Sequence, residues 1–448
     1  MRRSLAYILP VVLGVMVCWQ APDRLAAQAP AKAVSQPVTA IRAGTLIDGR
    51  SDKPLANRVI LIRGNLIESV LEGGASIPAG ARVIDLTRAT VLPGLIESHT
   101  HIFLQGEDPE LGGYDANILK HPLAYRAARA TVAVRRALEQ GFTTMRDMET
   151  EGAGYGDVGI KMAVEEGHIP GPRMFVVTRA LSTTGNYPLE GYAPELEMPK
   201  GAQLADGPVG FRKATREQLD HGADWIKVYM THRSRVDDQG HLVSYPTLTL
   251  EELQAVVDET HGWGKKVACH AYGGEGLRRA LEGGCDSIEH GLDLDDASIA
   301  RMVKQGTWYC PTLSPYHYWW GPPDTPDGKR DRARAAVHDP SFQRALKAGV
   351  KIVFGTDVGS FEWTDPNFPI AMEFTRMVAL GMTPMAAIKS ATSVPAQMLD
   401  MTGRIGVIAP GAFADVIAVS GDPLRDVKVL ESVGFVMKNG EVFRNEMK

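Results

Sequence analysis

Two histidines separated by a single residue, His99 and His101, close an apolar run that begins at Leu95. Successive side chains of a β-strand point to opposite faces, so a strand ending here would present both imidazoles on one face. Two imidazoles placed in this way can bind the same transition-metal ion. An isolated His-x-His can equally be an accident of polar surface, and the motif gains weight only if similar residues recur.

Further metal-ligating side chains do recur at the ends of later runs. Lys227 lies between apolar neighbours, where an uncompensated ammonium would be costly to bury. It either pairs with an acid or is carboxylated to form an anionic metal bridge. His270, His290 and Asp357 end three later runs. Imidazoles with carboxylates suit zinc, and open coordination positions would make such a site catalytic.

Eight apolar, strand-like runs position these residues and alternate with segments of helical period. The runs are 95–101, 143–148, 173–178, 225–230, 266–271, 287–290, 308–313 and 351–357. This alternation predicts an α/β fold, a (β/α)8 TIM barrel, with its active site at the C-terminal ends of the strands.

The two chain ends are β-rich and broken by Gly and Pro, which predicts short strands. We expect residues 28–91 and 403–448 to build one small β-sandwich domain beside a barrel of residues 92–402. Residues 1–27 contain Arg2 and Arg3, an apolar run and small residues, the pattern of an export signal. The protein is therefore predicted to be periplasmic or secreted, without a stable membrane span after processing; a lipid anchor at Cys18 stays open.

The composition is that of an ordinary soluble protein. Of 448 residues, 44% are hydrophobic and 23% are charged, which excludes disordered, collagen-like and polytopic membrane proteins. The formal net charge of −5 gives no overall electrostatic attraction to a polyanion, so no nucleic-acid partner is expected. Three cysteines follow the export signal, at 269, 285 and 310. Their spacing does not select a disulfide pair, and a homo-oligomer is possible.

The order His-x-His, Lys, His, His, Asp resembles the amidohydrolase superfamily of metal-dependent hydrolases over nearly the whole mature chain. A branch with prolidase-like dipeptidases, imidazolonepropionases and ochratoxin-hydrolysing enzymes is most similar. The segments that carry the resemblance are Leu92-Pro93-Gly94-Leu95-Ile96, Lys227-Val228-Tyr229, Val267-Ala268-Cys269-His270-Ala271-Tyr272-Gly273, Ile288-Glu289-His290-Gly291 and Gly355-Thr356-Asp357.

This resemblance implies two divalent metal ions, with zinc expected, that activate water for attack on an amide carbonyl. Asp357 would then carry the proton to the leaving nitrogen. The implied ligands are His99, His101 and Asp357 for one ion, His270 and His290 for the other, and an N6-carboxylated Lys227 as the bridge.

The sequence departs from the family pattern at two places. Glu97 stands where an Asp is expected before the histidine pair, which could alter the support of those histidines. Residues 182–187 replace a Thr-Gly-Gly-His segment, so the usual carbonyl-facing histidine is missing. Tyr187 is predicted to donate a hydrogen bond in its place, although a loop tyrosine is often only packing.

A carboxylate-bearing substrate is indicated by a cationic segment after Lys227. Tyr229, Arg233 and Arg235 are predicted to bind that carboxylate by charge-assisted hydrogen bonds, although solvated loop charges would look the same. The aromatic residues of segment 315–320 either form the wall of a pocket for a bulky apolar group or pack on the surface.

We therefore expect an enzyme, a metal-dependent hydrolase of C–N amide bonds that releases a C-terminal amino acid. The substrate would be a dipeptide, an N-acyl amino acid, or an aryl amide such as ochratoxin A, which would release phenylalanine. The alternative within the superfamily is a cyclic amide, lactone or deamination substrate. Two remote alternatives are an NAD-dependent oxidoreductase, from the G-x-G-x-x-G match at 154–159, and a non-catalytic exported metal-binding protein.

Overall fold

The computed structural model describes residues 37–107, 112–187, 189, 191–193, 195–318, 322–365 and 368–447. The predicted export signal, Cys18, Trp319 and Trp320 lie outside the described residues. Nineteen strands are formed in this part of the chain. They are β1 (Val38–Leu46), β2 (Leu55–Arg63), β3 (Leu66–Glu72), β4 (Arg82–Pro93), β5 (Leu95–Thr100), β6 (Phe142–Asp147), β7 (Arg173–Val176), β8 (Leu181–Ser182), β9 (Gln203–Leu204), β10 (Trp225–Tyr229), β11 (Thr231–Val236), β12 (Leu242–Pro246), β13 (Lys266–Gly273), β14 (Ser287–Asp293), β15 (Trp308–Cys310), β16 (Lys351–Ile352), β17 (Val416–Val419), β18 (Val433–Lys438) and β19 (Glu441–Asn445).

Each of the eight predicted runs overlaps one parallel strand: β5, β6, β7, β10, β13, β14, β15 and β16. They pair in sequence order as β5-β6-β7 and as β10-β13-β14-β15-β16. Backbone hydrogen bonds join the two groups at both sides. Asp224 N donates to Val176 O at 2.7 Å, and Asp357 N donates to His99 O at 2.8 Å. The predicted (β/α)8 barrel is thereby confirmed.

Helices cover the outside of this barrel, and every residue of β6 and β10 is buried, as expected for parallel strands covered on both faces. The helices are α1 (Gly113–Asp115), α2 (Leu123–Glu139), α3 (Gly156–Glu165), α4 (Gly207–Asp220), α5 (Leu250–Gly262), α6 (Gly274–Gly283), α7 (Asp296–Gln305), α8 (Pro315–Tyr318), α9 (Pro326–Ala348), α10 (Met372–Ala379), α11 (Pro384–Ser390) and α12 (Ser393–Met398), with a π-helical turn at Ala116–Lys120 and a 3-10 turn at Val427–Glu431.

Local sequence sets where several of these helices begin and end. Thr249 and Glu252 form a capping box at the start of α5, which satisfies two otherwise unpaired backbone N–H groups. Helices α6, α7 and α9 end at Gly284, Gly306 and Gly349, each in the left-handed region, where glycine has no side chain to strain. Within the described residues, no helix has both the length and the apolar content to cross a membrane.

The strands of both chain ends form one mixed sheet, in the order β19-β18-β17-β4-β1-β2-β3. Its two ends curve round a shared apolar core that includes Ile41, Ile60 and Phe435. The turn after β2 meets the turn after β18, where Gly440 approaches Gly64 O so closely that a Cβ would collide with it. The prediction that both chain ends share one β-structure is therefore confirmed.

One disulfide joins two barrel segments. Cys269 in β13 bonds to Cys285, two residues before β14, with their Cα atoms 6.1 Å apart. The third cysteine, Cys310 in β15, is a buried free thiol. The sequence left this pairing open because the distance between two chain segments is a property of the fold.

Candidate active site

The four predicted histidine ligands meet at the C-terminal ends of three barrel strands. His99 is the penultimate residue of β5 and His101 directly follows that strand, while His270 and His290 lie in β13 and β14. All four side chains are buried. The ring centroid of His290 lies 4.9 Å from that of His99 and 4.3 Å from that of His270. The structure therefore brings these four residues into one cluster.

Asp357 lies against three of these imidazoles. Its Oδ1 is 3.1 Å from His101 Nε2 and 3.5 Å from His99 Nε2, and its Oδ2 is 4.0 Å from His290 Nδ1. His99, His290 and Asp357 offer ligand atoms within 4.8 Å of one another, a spacing suited to a metal ion. The Asp357 side chain is 14% exposed, so its carboxylate can be reached from the barrel mouth.

Two backbone features shape this part of the site. His290 has a φ of 72°, so the strand kinks there and departs from strict alternation, which lets Glu289 and His290 both contribute to the site. Gly359 has a φ of 125° and packs on His101, where a Cβ would lie 2.7 Å from the His101 Cβ. A larger residue at this position would displace His101.

Lys227 lies in β10 and is fully buried. Its Nζ has no hydrogen-bond partner among the described residues. Burial lowers the pKa of the Lys227 ammonium, while the nearby Glu289 and Glu149 carboxylates oppose that shift. A buried amine without a partner is costly, and an anionic carboxylated lysine between metal ions would remove this cost.

The donor atoms of the cluster fit a metal ion. His99 Nε2 and His270 Nε2 are buried and, within the described chain, make no hydrogen bond. Burial lowers the pKa of both imidazoles, so they are neutral and keep a lone pair for a cation. His290 Nδ1 lies 2.8 Å from Thr312 Oγ1, which leaves its Nε2 for a ligand bond.

A buried ion-pair network behind the cluster was missed by the sequence analysis. Glu289 Oε2 lies 2.8 Å from His99 Nδ1, and Arg146 Nη2 donates to Glu289 Oε1 at 2.8 Å. Arg146 Nε also donates to Ser98 O at 2.7 Å, and the guanidinium lies 4.6 Å from the ring centre of Trp225. The sequence shows Glu289 next to His290, but it does not show that Arg146 of another strand pairs with Glu289.

Glu97, the first departure from the family pattern, ties β5 to the segment that carries Asp357. Its Oε1 accepts hydrogen bonds from the backbone N of His99 at 2.9 Å and of Thr356 at 3.0 Å. Burial raises the pKa of the Glu97 carboxyl well above its usual value. Glu97 therefore supports the backbone on both sides of the cluster.

Tyr187 and Tyr229 belong to a buried group of acids and phenols beside the histidines. Their hydroxyls are 2.9 Å apart. Tyr229 donates to Glu149 Oε2 at 2.5 Å, and Tyr187 donates to Glu151 Oε2 at 3.0 Å. Tyr187 also stacks on His232. The two glutamates follow Asp147 at every second position, a strand-end pattern that sequence reasoning could have used.

The other predicted substrate residues lie farther out. Arg233 and Arg235 are exposed on β11, and Arg235 Nε donates to Tyr245 Oη at 2.8 Å. From the aromatic segment, Tyr316 faces the cluster with its ring centre 6.1 Å from that of His290. His317 instead pairs with Asp339 at 2.8 Å.

The chain is similar to known hydrolases in both sequence and fold. Residues 90–443 match the model of the amidohydrolase family. The chain is 31% identical to an ochratoxinase of Aspergillus niger over 443 residues, 91% of this chain and 87% of that protein. A crystal structure of a Xaa-Pro dipeptidase with methionine bound in its active site has a TM-score of 0.82 and 33% identity, covering 91% of this chain and 100% of that one.

A prolidase solved with N-methylphosphonate-L-proline is also similar, with a TM-score of 0.79 and 28% identity over 91% of this chain and all of that one. The family model spans most of the chain, and the fold matches that of solved amide-bond hydrolases. The chain therefore belongs to the amidohydrolase family and is a hydrolase of amide bonds.

Proposed function

We propose that this protein is a binuclear zinc amidohydrolase that cleaves an amide or peptide bond and releases a C-terminal amino acid. One observation carries the proposal: the Asp357 carboxylate lies within 4.0 Å of His99, His101 and His290, near the buried Nζ of Lys227, which has no hydrogen-bond partner among the described residues. Such a mixed set of imidazoles and a carboxylate suits zinc.

The proposed ligand set follows the strand order of the barrel. His99, His101 and Asp357 would hold one ion, His270 and His290 would hold the other, and carboxylated Lys227 would bridge them. When bound, the two ions would act as Lewis acids that lower the pKa of a water molecule and polarise the amide carbonyl.

The bridge requires a covalent change at Lys227. The neutral amine nitrogen would bond to the carbon of carbon dioxide, and one proton would leave to give an N-carboxylate. The Nζ is enclosed and has no hydrogen-bond partner in the described chain, so nothing competes for its lone pair.

The chain's own residues would move the proton. Asp357 would accept a proton from the attacking water at Oδ2, the oxygen farther from His99 and His101, and pass it to the leaving nitrogen. Tyr187 would give up its hydrogen bond to Glu151 Oε2 and donate its single hydroxyl proton toward the substrate carbonyl instead.

The substrate proposal rests on the relatives and on the mouth of the site. The relatives are named for ochratoxin and for dipeptides, and Tyr272 and Tyr316 place aromatic rings beside His290. We therefore propose a dipeptide, an N-acyl amino acid or an aryl amide such as ochratoxin A. Tyr229, Arg233 and Arg235 remain the predicted carboxylate-binding residues.

We also propose that the protein works outside the cytoplasm, after removal of residues 1–27. The Cys269–Cys285 disulfide supports this location, because disulfides persist mainly in oxidising compartments.

The test is release of free amino acid by the purified, zinc-loaded protein from dipeptides, N-acyl amino acids and ochratoxin A. Release that stops on chelation and returns with zinc would support the proposal. Zinc-loaded protein that cleaves only lactones or cyclic amides would contradict it.

A further inference from the structure

The hairpin of β11 and β12 sorts its side chains by strand alternation. His232 and Ser234 are half-buried on the inner face of β11, whereas Arg233 and Arg235 are exposed on the outer face. Arg235 is held there by Tyr245, itself an exposed residue. An anion bound at the inner face of β11 would therefore have to pair with a cationic side chain from another element of the fold.

Arg334 of α9 supplies that cation. Its Nη2 and Nε donate to Ser234 Oγ at 2.9 and 3.2 Å, and its side chain is only 17% exposed. The guanidinium carbon lies 5.1 Å from the centre of the Tyr272 ring. Burial and then the Arg334 charge lower the pKa of His232 to about 4, which agrees with a guanidinium close to this inner face.

Tyr272 links Arg334 to the histidine cluster. Its ring centre is 4.6 Å from that of His270 and 5.8 Å from that of His290. Arg334 is thus separated from two proposed metal ligands by one aromatic ring. The guanidinium carbon therefore lies no more than about 10 Å from the centre of the His270 ring. One amino acid spans about 3.8 Å along a chain, and a metal–ligand bond of about 2 Å and a carboxylate–guanidinium hydrogen bond of about 2.8 Å together bridge this range.

Part of the guanidinium remains available for a ligand. Arg334 Nη1 forms an ion pair with Asp331 Oδ1 at 3.9 Å, too long for a hydrogen bond, and among the described residues only Ser234 accepts side-chain hydrogen bonds from this guanidinium. Two hydrogen bonds to Ser234 fix the orientation of the fork. A fixed, permanently charged guanidinium is well suited to bind a carboxylate.

We propose that Arg334 binds the α-carboxylate of the leaving amino acid and so selects substrates with a free C-terminus. This inference rests on the proposed function. It assigns the anchor to α9 in addition to, or in place of, the exposed arginines of β11.

The kinetic test compares a dipeptide with its C-terminal amide, which has no carboxylate. Wild-type enzyme should prefer the free acid, and Arg334→Gln should lose about a hundredfold in kcat/KM on the acid, mainly through KM, without change on the amide. Arg334→Lys should recover part of the loss. Lys347→Gln, at an exposed position of the same helix, should behave like wild type.

The inference is overturned if Arg334→Gln keeps the wild-type ratio of acid to amide. It is also overturned if Arg235→Gln removes that preference and Arg334→Gln does not.

A binding measurement separates this inference from the proposed reaction. Free methionine should raise the Tm of the metal-loaded wild-type chain more than methionine amide does, and Arg334→Gln should abolish the difference. This result would uphold the anchor even if no dipeptide were cleaved. Equal effects of both ligands on wild type, or no effect of either, would contradict it.

Discussion

Glu289 Oε2 lies 2.8 Å from His99 Nδ1, and both side chains are fully buried. This contact places the proton of the His99 ring on Nδ1 and leaves Nε2 directed at Asp357, 3.5 Å away. Arg146 holds the other carboxylate oxygen of Glu289. Glu289 is therefore a positioning residue, which acts on the candidate metal centre through His99.

Glu289→Gln should weaken zinc binding by about 10- to 100-fold, the usual cost of losing a carboxylate that orients a ligating histidine. Zinc retained after dialysis against graded chelator concentrations measures this effect. Glu282→Gln, at a partly exposed site on α6, is the matched control. Unchanged zinc affinity, with a normal Tm, would show that Glu289 does not position His99.

Lys227→Ala should reduce the zinc content from two ions to one per chain and lower kcat/KM about a thousandfold, the scale of losing one electrostatic stabiliser. Added acetate should restore part of the second ion, because a free carboxylate can occupy the space of the lost side chain. Lys265→Ala, at a partly exposed site, should leave both quantities unchanged. Two tightly held ions and full activity in Lys227→Ala would rule out the bridge.

Much of the barrel could be predicted because apolar strand runs and helical segments alternate along the chain. The same logic located His99, His101, His270, His290 and Asp357 at strand ends, where the structure gathers them. The alternation of side chains within one strand and the order of the strands along the chain can both be read from the sequence, because neither depends on which strands become neighbours.

Contacts between distant segments could not be predicted in this way. Arg146 and Glu289 meet across the barrel, Ser234 meets Arg334 from α9, and Cys269 bonds to Cys285. Each pair depends on which faces oppose one another once the barrel closes. The sequence also did not show that Arg233 and Arg235 lie on the exposed face of β11.

Tyr187→Phe should lower kcat by about 10- to 100-fold with little change in KM, if its hydroxyl assists only during the reaction. The ring would still stack on His232, so folding should be preserved. Tyr125→Phe, at an exposed tyrosine, serves as the control for loss of a phenol. An unaltered kcat would reduce Tyr187 to a packing residue.

The Cys269–Cys285 disulfide determines how many free thiols the chain should contain. The denatured mature chain should show one free thiol, from Cys310, before reduction and three after it. Closing a loop between residues 16 apart stabilises a fold by about 3 kcal/mol, so Cys285→Ser should lower the Tm. Three free thiols in protein isolated from its native compartment would contradict both the disulfide and the proposed export.

The most direct test of the account is zinc content per chain measured on the same preparation as amino acid release. The account predicts two zinc ions and release from at least one dipeptide, N-acyl amino acid or ochratoxin A, with both lost together on chelation. A preparation that binds no zinc, or that releases amino acids equally well without it, would contradict the central claim.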